Sequence, residues 1–233
     1  MKKLLCALLV LLMCAGCSSN AIDAPDESNV LKVGMECDYA PFNWTTPTAG
    51  EFTQPLNSVD YADGYDVVIA SKIAEELGME VQIVKLDWDA LIPSLNSGEI
   101  DLIIAGMTDT PERRESISFT TPYYESQMTI IVKKGSGLED ITDIQELAGK
   151  NVMGQLGTLY DEIIDQIDGV NHLDPKTSYP EMIPDLSAGI ADALTAELPV
   201  AVGICAANDE FTYVTFEDGH GFDVDTSVSI GLR

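Results

Sequence analysis

Two patterns of apolar residues alternate along residues 30–105, and they constrain the fold more than any other feature. Val30–Met35 (VLKVGM) alternates apolar and polar residues, which predicts a strand, and Val81–Leu86 and Asp101–Ala105 predict two further strands. The segments between them, Tyr65–Gly78 and Asp89–Gly98, have the helical period. Strands separated by helices at this spacing form a parallel α/β sheet.

The first predicted helix has recognisable ends. Asp66 can cap its start, Ile69 and Ile73 lie on one apolar face, and Gly78 can end it. The segment that precedes it, residues 43–63, is rich in Thr, Pro and Gly and predicts a long polar loop.

A second α/β unit follows the predicted strand Met128–Lys134 and the flexible residues 135–137. Its predicted parts are, in order, a helix at 143–150, a strand at 151–154, a helix at 158–169, a helix ending near Ser187, a strand at 191–196, a helix at 198–208, and strands at 211–216 and 228–233. The sequence therefore predicts an α/β protein with two lobes and a boundary near residue 133.

The charge of the chain excludes nucleic acid as a partner. Twelve basic residues against 39 acidic ones give a formal charge of −27, whereas phosphate binding requires a basic surface. There is no CxxC pair, HExxH, GxSxG, P-loop or dinucleotide motif, so no metal, cofactor or catalytic triad is predicted. Cys37 and Cys205, the cysteines outside the N-terminal segment, could form a disulfide.

The N-terminus has the pattern of an export signal. Lys2 and Lys3 precede an apolar stretch at residues 4–13, and MCAGC, which ends at Cys17, resembles a bacterial lipobox. This resemblance implies cleavage before Cys17 and a lipid on its sulfur, with residues 17–29 as a polar tether; an ordinary secretory signal is the alternative. Both interpretations place the mature chain outside the cytoplasm.

One predicted helix start carries unusual charges. Thr110 is a predicted N-cap and Pro111 the first helical residue, yet Arg113 and Arg114 follow at once. The start of a helix favours acids over bases. A helix start that carries two cations therefore requires an explanation.

Six motifs, in order and at matching spacing, resemble the polar amino acid ABC transporter solute-binding proteins. They are DYAPF (Asp38–Phe42), GYDVVIASKIAEELG (Gly64–Gly78), WDALIPSLNSGEIDLIIAGMTDTPERR (Trp88–Arg114), FTTPYY (Phe119–Tyr124), GKNVMGQLGT (Gly149–Thr158) and GIADALTAELPVA (Gly189–Ala201). The resemblance implies the type II periplasmic-binding fold, in which an amino acid binds in a cleft between two lobes.

The resemblance also implies where the signal peptide, the tether and the two lobes begin and end. We expect a signal peptide at 1–16, a tether at 17–29, lobe 1 at 30–131 and 226–233, and lobe 2 at 132–225, with TIIVK and VSIGL as the crossover strands. Members of the family usually continue with helices that pack on lobe 1, so we expect those C-terminal helices to be missing from a chain that stops at Arg233.

The resemblance explains the arginines. Arg113 lies at the position where the family binds the α-carboxylate of its ligand. A guanidinium offers a carboxylate two parallel hydrogen-bond donors. The alternative is a surface arginine paired with Glu112 or Glu115, which is the better account of Arg114.

Further site residues are implied position by position. Thr108 matches a hydroxyl donor to the carboxylate, and the Gly106 backbone matches a contact to the amino group. Gly157 and Thr158 match a helix start that meets the carboxylate from lobe 2. Glu197 matches the acid that pairs with the ammonium, and its alternative is a surface acid at a helix start.

Three residues match positions at which the family contacts the side chain of its ligand. Tyr39 and Trp88 match the aromatic residues that sandwich its stem, with core packing as the alternative, and Glu36 matches a residue that recognises its end. An acid there disfavours glutamate and aspartate and suits arginine, lysine, histidine or glutamine.

The expected function is therefore that of a monomeric amino acid receptor, without a cofactor, that serves ABC permease subunits at the membrane. The alternatives are an enzyme like the cyclohexadienyl dehydratases, which share this fold, and a ligand-sensing module. The enzyme requires a proton donor, for which only Glu36 and Glu197 are candidates.

Overall fold

Two five-stranded sheets, each covered by helices, form the two lobes of the molecule. The computed structural model describes residues 29–233; the predicted signal, Cys17 and nearly all of the tether lie outside the described residues. The strands are β1 (Val30–Met35), β2 (Asp38–Tyr39), β3 (Asn43–Thr46), β4 (Gln54–Pro55), β5 (Tyr61–Asp63), β6 (Glu80–Lys85), β7 (Leu102–Ile103), β8 (Ser118–Phe119), β9 (Met128–Lys133), β10 (Asn151–Met153), β11 (Asn171–His172), β12 (Ala193–Glu197), β13 (Phe211–Thr215) and β14 (Gly231–Leu232). The helices are α1 (Tyr65–Leu77), α2 (Leu91–Ser97), α3 (Pro111–Arg114), α4 (Leu159–Glu162), α5 (Tyr179–Ala188) and α6 (Leu198–Ala207).

The first sheet has the order β6-β1-β7-β14-β8, with β1 parallel to β6 and β7. The second has the order β11-β10-β12-β9-β13, with β10 parallel to β11 and β12. The two-lobed α/β fold predicted from the sequence is confirmed. Parallel strands place their carboxyl ends at one edge, and the segments that follow β1, β7 and β10 carry most of the predicted site residues.

The connection between the lobes lies slightly upstream of the predicted crossover strand. All of β9 pairs with β12 and β13 in the second sheet, whereas β14 pairs with β7 and β8 in the first. Tyr124 and Val228, on the two connecting segments, form an antiparallel bridge. The lobe bounds therefore stay a proposal, and the strand pairing favours placing the first boundary before Met128.

Residues 43–63 are not one continuous polar loop, although residues 47–53 and 56–60 lie outside strands. They contribute β3, β4 and β5, which form with β2 an antiparallel sheet in the order β2-β3-β5-β4. Aromatic residues such as Trp44 and Tyr61 and the β-branched Thr45 favour extended pairing, although the Pro and Gly residues around them suggested a loop.

Three local predictions were also wrong. Asp66 does not cap α1: Gly64 occupies that position, and the Asp66 carboxylate is buried and bonded elsewhere. The predicted helix at 143–150 is one 3-10 turn, Ile144–Leu147, closed by a capping box from Asp143. The predicted helix at 158–169 is α4 followed by a 3-10 turn, Ile163–Gln166, which begins at two buried β-branched residues.

Candidate functional site

Predicted residues from both lobes meet around one small cavity. Its wall contains Trp88, Gly106, Thr108, Arg113 and Thr158, together with Leu159 and Tyr160. The cavity has a volume of about 10 Å³, close to the space of one water molecule. An amino acid is larger, so binding requires the groups that enclose the cavity to move apart.

Arg113 is held at this cavity by its own helix. The predicted N-cap is confirmed, since Thr110 Oγ1 accepts a 3.2 Å hydrogen bond from the Arg113 N–H, and Pro111 opens α3. The guanidinium donates from Nη1 to the Thr108 carbonyl at 2.7 Å and lies over the Trp88 ring, 5.3 Å from its centroid. Burial lowers the pKa of Arg113. Among residues 29–233 no carboxylate lies within ion-pair distance of this guanidinium.

Arg114, unlike Arg113, does not line the small cavity. Its guanidinium pairs with Asp109, with Nε 2.6 Å from Oδ1 and a second bond from Nη2 to Oδ2. The expected partners were Glu112 or Glu115; Asp109 takes their place because it lies directly before the helix cap, within reach of both nitrogens. The side chain of Arg114 is 59% exposed, as expected for a surface ion pair.

Gly157 and Thr158 present the second lobe to the first. Thr158 caps α4, accepting from the Tyr160 N–H at 3.2 Å and donating to the Gln155 carbonyl at 2.7 Å. The Gly157 carbonyl accepts a 2.9 Å hydrogen bond from Trp88 Nε1. Gly157 has a φ of +71°, a conformation that strains residues with a side chain, and a Cβ there would lie 2.7 Å from Asp89 Oδ1, which would have to shift.

Glu197 is fully buried at the end of β12, which excludes the surface alternative. Its Oε1 accepts a hydrogen bond from the Tyr160 hydroxyl, and its Oε2 has no partner among the described residues. Burial raises the pKa of Glu197 to about 8, and the charge of Asp66 contributes to this increase. Sequence reasoning missed Tyr160, which has no motif signal beyond its position two residues after Thr158.

Tyr39 packs beside the cavity. It is 3% exposed, its ring stacks on Phe42 with centroids 5.4 Å apart, and its hydroxyl donates to that of Tyr160 at 3.3 Å. Gly106 has a φ of +61°, and a Cβ there would lie 2.8 Å from the Tyr39 ring, so this position requires glycine. The predicted sandwich of a ligand stem between Tyr39 and Trp88 stays a prediction.

Glu36 lies between the lobes, next to a second and larger cavity. It is 6% exposed, and its Oε1 accepts a 2.8 Å hydrogen bond from Gln155 Nε2 of the second lobe. Burial raises the pKa of Glu36 to about 7. The larger cavity measures about 640 Å³, and Trp88 lines both cavities.

The larger cavity is acidic. The carboxylates in its wall belong to Glu36, Asp38, Asp87, Asp89 and Glu181. Neither lysine nor arginine lines it. Acids that share one concave surface create a negative potential, which attracts a cation more strongly than it attracts a neutral group.

Three further findings concern the cysteines, metal binding and membrane-spanning helices. Cys37 and Cys205 are both free thiols. Residues 29–233 contain no cluster of three side chains suited to a metal ion. None of the helices described combines the length and apolarity that a membrane crossing requires.

Known proteins resemble this chain in sequence and in fold. The family model of bacterial extracellular solute-binding proteins, family 3, matches residues 31–196. The arginine-binding extracellular protein ArtP of Bacillus subtilis is 28% identical over 94% of this chain and 84% of its own length. A probable histidine-binding protein of Campylobacter jejuni is 32% identical over 95% of this chain and 85% of its own. The L-arginine-bound structure of AbpA, an amino acid ABC transporter substrate-binding protein from Streptococcus pneumoniae, superimposes with a TM-score of 0.76 at 28% identity, covering 88% of this chain and 82% of that one.

Proposed function

Because the chain belongs to the bacterial extracellular solute-binding proteins, family 3, we propose that it is a receptor that binds a polar or basic amino acid outside the cytoplasm and delivers it to an ABC importer. The relatives compared above are binding proteins, which supports a receptor over an enzyme at the level of the family.

One observation carries this proposal: Arg113 in the wall of the small cavity and Glu197, which is bonded to a residue of that wall, both lack a partner of opposite charge among the described residues. Arg113 lacks a carboxylate partner, and Glu197 lacks a partner for Oε2, within residues 29–233. Tyr160 connects them, since it lines the cavity of Arg113 and donates to Glu197. A free amino acid carries an α-carboxylate and an α-ammonium a few atoms apart, and can therefore complete both pairs.

The acidic cavity supports a basic side chain. Glu36 adjoins the amino acid site through the shared Trp88, and further acids surround it. A guanidinium or ammonium group reaching Glu36 would neutralise a buried acid, which is favourable. Arginine fits best, with lysine, histidine and glutamine as the other members of the proposed set.

The first prediction tests the ligand class. Free L-arginine at a hundredfold excess over its dissociation constant should stabilise the purified protein by about 2.7 kcal/mol. For a chain of this size that raises the melting temperature by roughly 5–10 °C. Differential scanning fluorimetry with amino acids, sugars, peptides and phosphate esters measures it. A folded protein that responds to no amino acid would contradict the receptor function.

The second prediction concerns the side chain of the ligand. Glu36→Gln keeps an acceptor for Gln155 but removes the charge, so affinity for arginine should fall about tenfold or more, whereas affinity for glutamine should change by less than about threefold. Calorimetric titration of both ligands measures this ranking. Glu181→Gln, at an exposed acid of the same cavity, is the control and should change both affinities little. Equal losses for arginine and glutamine in Glu36→Gln would exclude Glu36 as the side-chain recognition group.

The third prediction concerns anchoring. We propose that Cys17 carries the lipid that holds the receptor at the membrane, and residues 17–29 then serve as its tether. Cys17→Ser should move the protein from the membrane fraction to the soluble fraction, as measured by fractionation and immunoblotting. Retention of the variant in the membrane fraction, or an unmodified N-terminus by mass spectrometry, would contradict the lipid anchor.

A further inference from the structure

Two tyrosine hydroxyls form a buried chain that ends at the carboxylate of Glu197. The Tyr39 hydroxyl donates to that of Tyr160 at 3.3 Å, and the Tyr160 hydroxyl donates in turn to Glu197 Oε1. The three side chains are 3%, 6% and 0% exposed. Tyr39 is on β2, directly after β1 of the first sheet, whereas Glu197 ends β12 of the second. The chain therefore crosses from one lobe to the other.

The second lobe alone fixes Tyr160 against Glu197. The Tyr160 N–H donates to Thr158 Oγ1 at 3.2 Å, and its carbonyl accepts from Thr195 Oγ1 at 2.6 Å. Thr195 is two residues before Glu197 on β12, so the strand that carries the carboxylate also holds the tyrosine. Because all of these residues belong to the second lobe, their contacts do not depend on the position of the first lobe.

Tyr160 also connects Glu197 to the ligand site. It lines the small cavity that contains Arg113, whereas Glu197 does not. Glu197 Oε1 is bonded to Tyr160, and Oε2 has no partner among the described residues. The tyrosine is thus the wall residue through which the buried carboxylate adjoins the cavity.

The charge of Glu197 depends on its hydroxyl donors. Within residues 29–233 no lysine, arginine or histidine lies within ion-pair distance of it. Burial raises the pKa of Glu197 to about 8, and the hydroxyls of Tyr160 and Tyr39 oppose this rise because a donated hydrogen bond favours the ionised carboxyl. The titratable groups that face it from the surrounding elements are Tyr160, Tyr39, Asp66, Tyr123 and Tyr179.

An ammonium pairs with the ionised carboxyl, so a donor that favours this form increases affinity wherever the carboxyl would otherwise hold a proton. The bond from Tyr160 can persist before and after an amino acid binds, since both of its residues lie in one lobe. Its effect is therefore on the charge of Glu197 rather than on a contact to the ligand. The bond from Tyr39 joins the two lobes and forms only when they are close together.

We propose that Tyr160 is a positioning residue for the α-ammonium of the ligand: its hydroxyl keeps Glu197 available as an anion, and Tyr39 of the first lobe completes this chain when the lobes close. This inference rests on the proposed amino acid receptor function and deepens it. It gives Tyr160 a part in recognising the ammonium and gives the Tyr39 hydroxyl a part separate from that of its ring.

The first test is the pH dependence of affinity in Tyr160→Phe. L-glutamine is the ligand, because its neutral side chain leaves Glu36 uninvolved. The variant should bind about tenfold or more weakly than the unmodified protein at about pH 6.5, and less than about threefold more weakly at about pH 9.5, where Glu197 is mostly ionised in both proteins. Ionisation of the ligand itself affects both proteins equally and cancels in this ratio. Calorimetric titration measures it.

Proton release gives a second measure that does not depend on the size of the affinity loss. At pH 8 the unmodified Glu197 should release about half a proton when the ligand binds, since its pKa is about 8. In Tyr160→Phe the carboxyl should be more fully protonated before binding, so the count should approach one proton. Titrations in buffers of different ionisation enthalpy measure this difference.

Tyr179→Phe is the matched control. Tyr179 is 3% exposed and its ring lies 5.7 Å from that of Tyr39, but its hydroxyl donates to the Thr195 carbonyl at 2.9 Å and is not part of the chain. The same substitution in the same cluster should leave affinity within about twofold of the original at every pH. A pH-dependent loss equal to that of Tyr160→Phe would show general damage to the cluster instead.

A double-variant cycle tests the part of Tyr39. Tyr39→Phe keeps the ring that stacks on Phe42 and removes only the hydroxyl, so affinity for L-glutamine at pH 7 should fall by about threefold. In a protein that already carries Tyr160→Phe, the same change should cost nothing further, because the acceptor of that hydroxyl is absent.

Three results would overturn the inference: an affinity ratio for Tyr160→Phe that is constant with pH, a pH-dependent loss of equal size in Tyr179→Phe, or additive losses in the cycle. Circular dichroism and melting temperature establish folding. If Tyr160→Phe does not fold, Tyr39→Phe decides, and unchanged affinity in that variant contradicts the chain. If the unmodified protein binds no amino acid, the proposed function fails; if it binds and the ratio stays constant, only this inference fails.

Discussion

Arg113→Ala is expected to weaken amino acid binding by about 2–5 kcal/mol, because the α-carboxylate of the ligand would be buried without its charge partner. The guanidinium is already oriented, since one nitrogen is bonded to the Thr108 carbonyl and its plane lies over Trp88. Little conformational entropy is then lost when a carboxylate binds. Calorimetric titration with L-arginine and L-glutamine measures the loss, which should be similar for both because they share this carboxylate.

Two further variants test whether the effect is specific to the guanidinium of Arg113. Arg113→Lys should recover only part of the affinity, since an ammonium cannot make two parallel bonds to a carboxylate. Arg114→Ala should cost little, because it removes an exposed pair with Asp109 on the outer face of α3. Equal losses for Arg113→Ala and Arg114→Ala would mean that both arginines are surface charges and that the cleft lies elsewhere.

Glu197→Gln is expected to lower affinity by about 2–5 kcal/mol, since it removes the charge that faces the α-ammonium. The fold should tolerate this change well. A pKa of about 8 means that the carboxyl is mostly protonated at neutral pH, and glutamine has nearly the same shape and can still accept from Tyr160. A melting temperature close to that of the unmodified protein, together with weak binding, is the expected combination.

The same carboxyl makes binding depend on pH. An ammonium pairs with the ionised form, so binding must remove the proton that Glu197 holds below about pH 8. Affinity for L-glutamine, whose neutral side chain leaves Glu36 uninvolved, should rise by up to about tenfold per pH unit between about pH 6.5 and 8. Titrations in buffers of different ionisation enthalpy count the released proton. A proton count that is the same in Glu197→Gln would exclude Glu197 as the titrating group.

Sequence patterns predicted most of the helices and strands of the two lobes, because local signals and tertiary packing favour the same structure in those segments. The cap at Thr110 and the proline after it set the start of α3, and hence the direction of Arg113, from sequence alone. Helix α1 ends at Gly78 in the left-handed conformation, as glycine at that position indicated.

What the sequence did not reveal depends on contacts between distant residues. Asp66 is a good helix cap by local rules, yet Tyr123, 57 residues away, captures its carboxylate. Tyr160 has no distinguishing neighbours along the chain, and its role arises only because Glu197 and Tyr39 converge on its hydroxyl. Such long-range partners are set by the packing of the lobes, which no local pattern encodes.

The three buried acids have a consequence for the stability of the protein. Burial raises the pKa of Asp66 to about 6, of Glu36 to about 7 and of Glu197 to about 8, from ordinary values near 4. From about pH 4 to pH 8 the folded chain therefore retains protons that the unfolded chain has lost, so the free energy of unfolding decreases as the medium becomes more alkaline. The formal charge of −27 acts in the same direction, because mild acid reduces the repulsion between surface carboxylates. Acidification of the medium thus stabilises the fold while it weakens the hold of Glu197 on an ammonium, so resistance to unfolding and affinity for the amino acid change in opposite directions with pH.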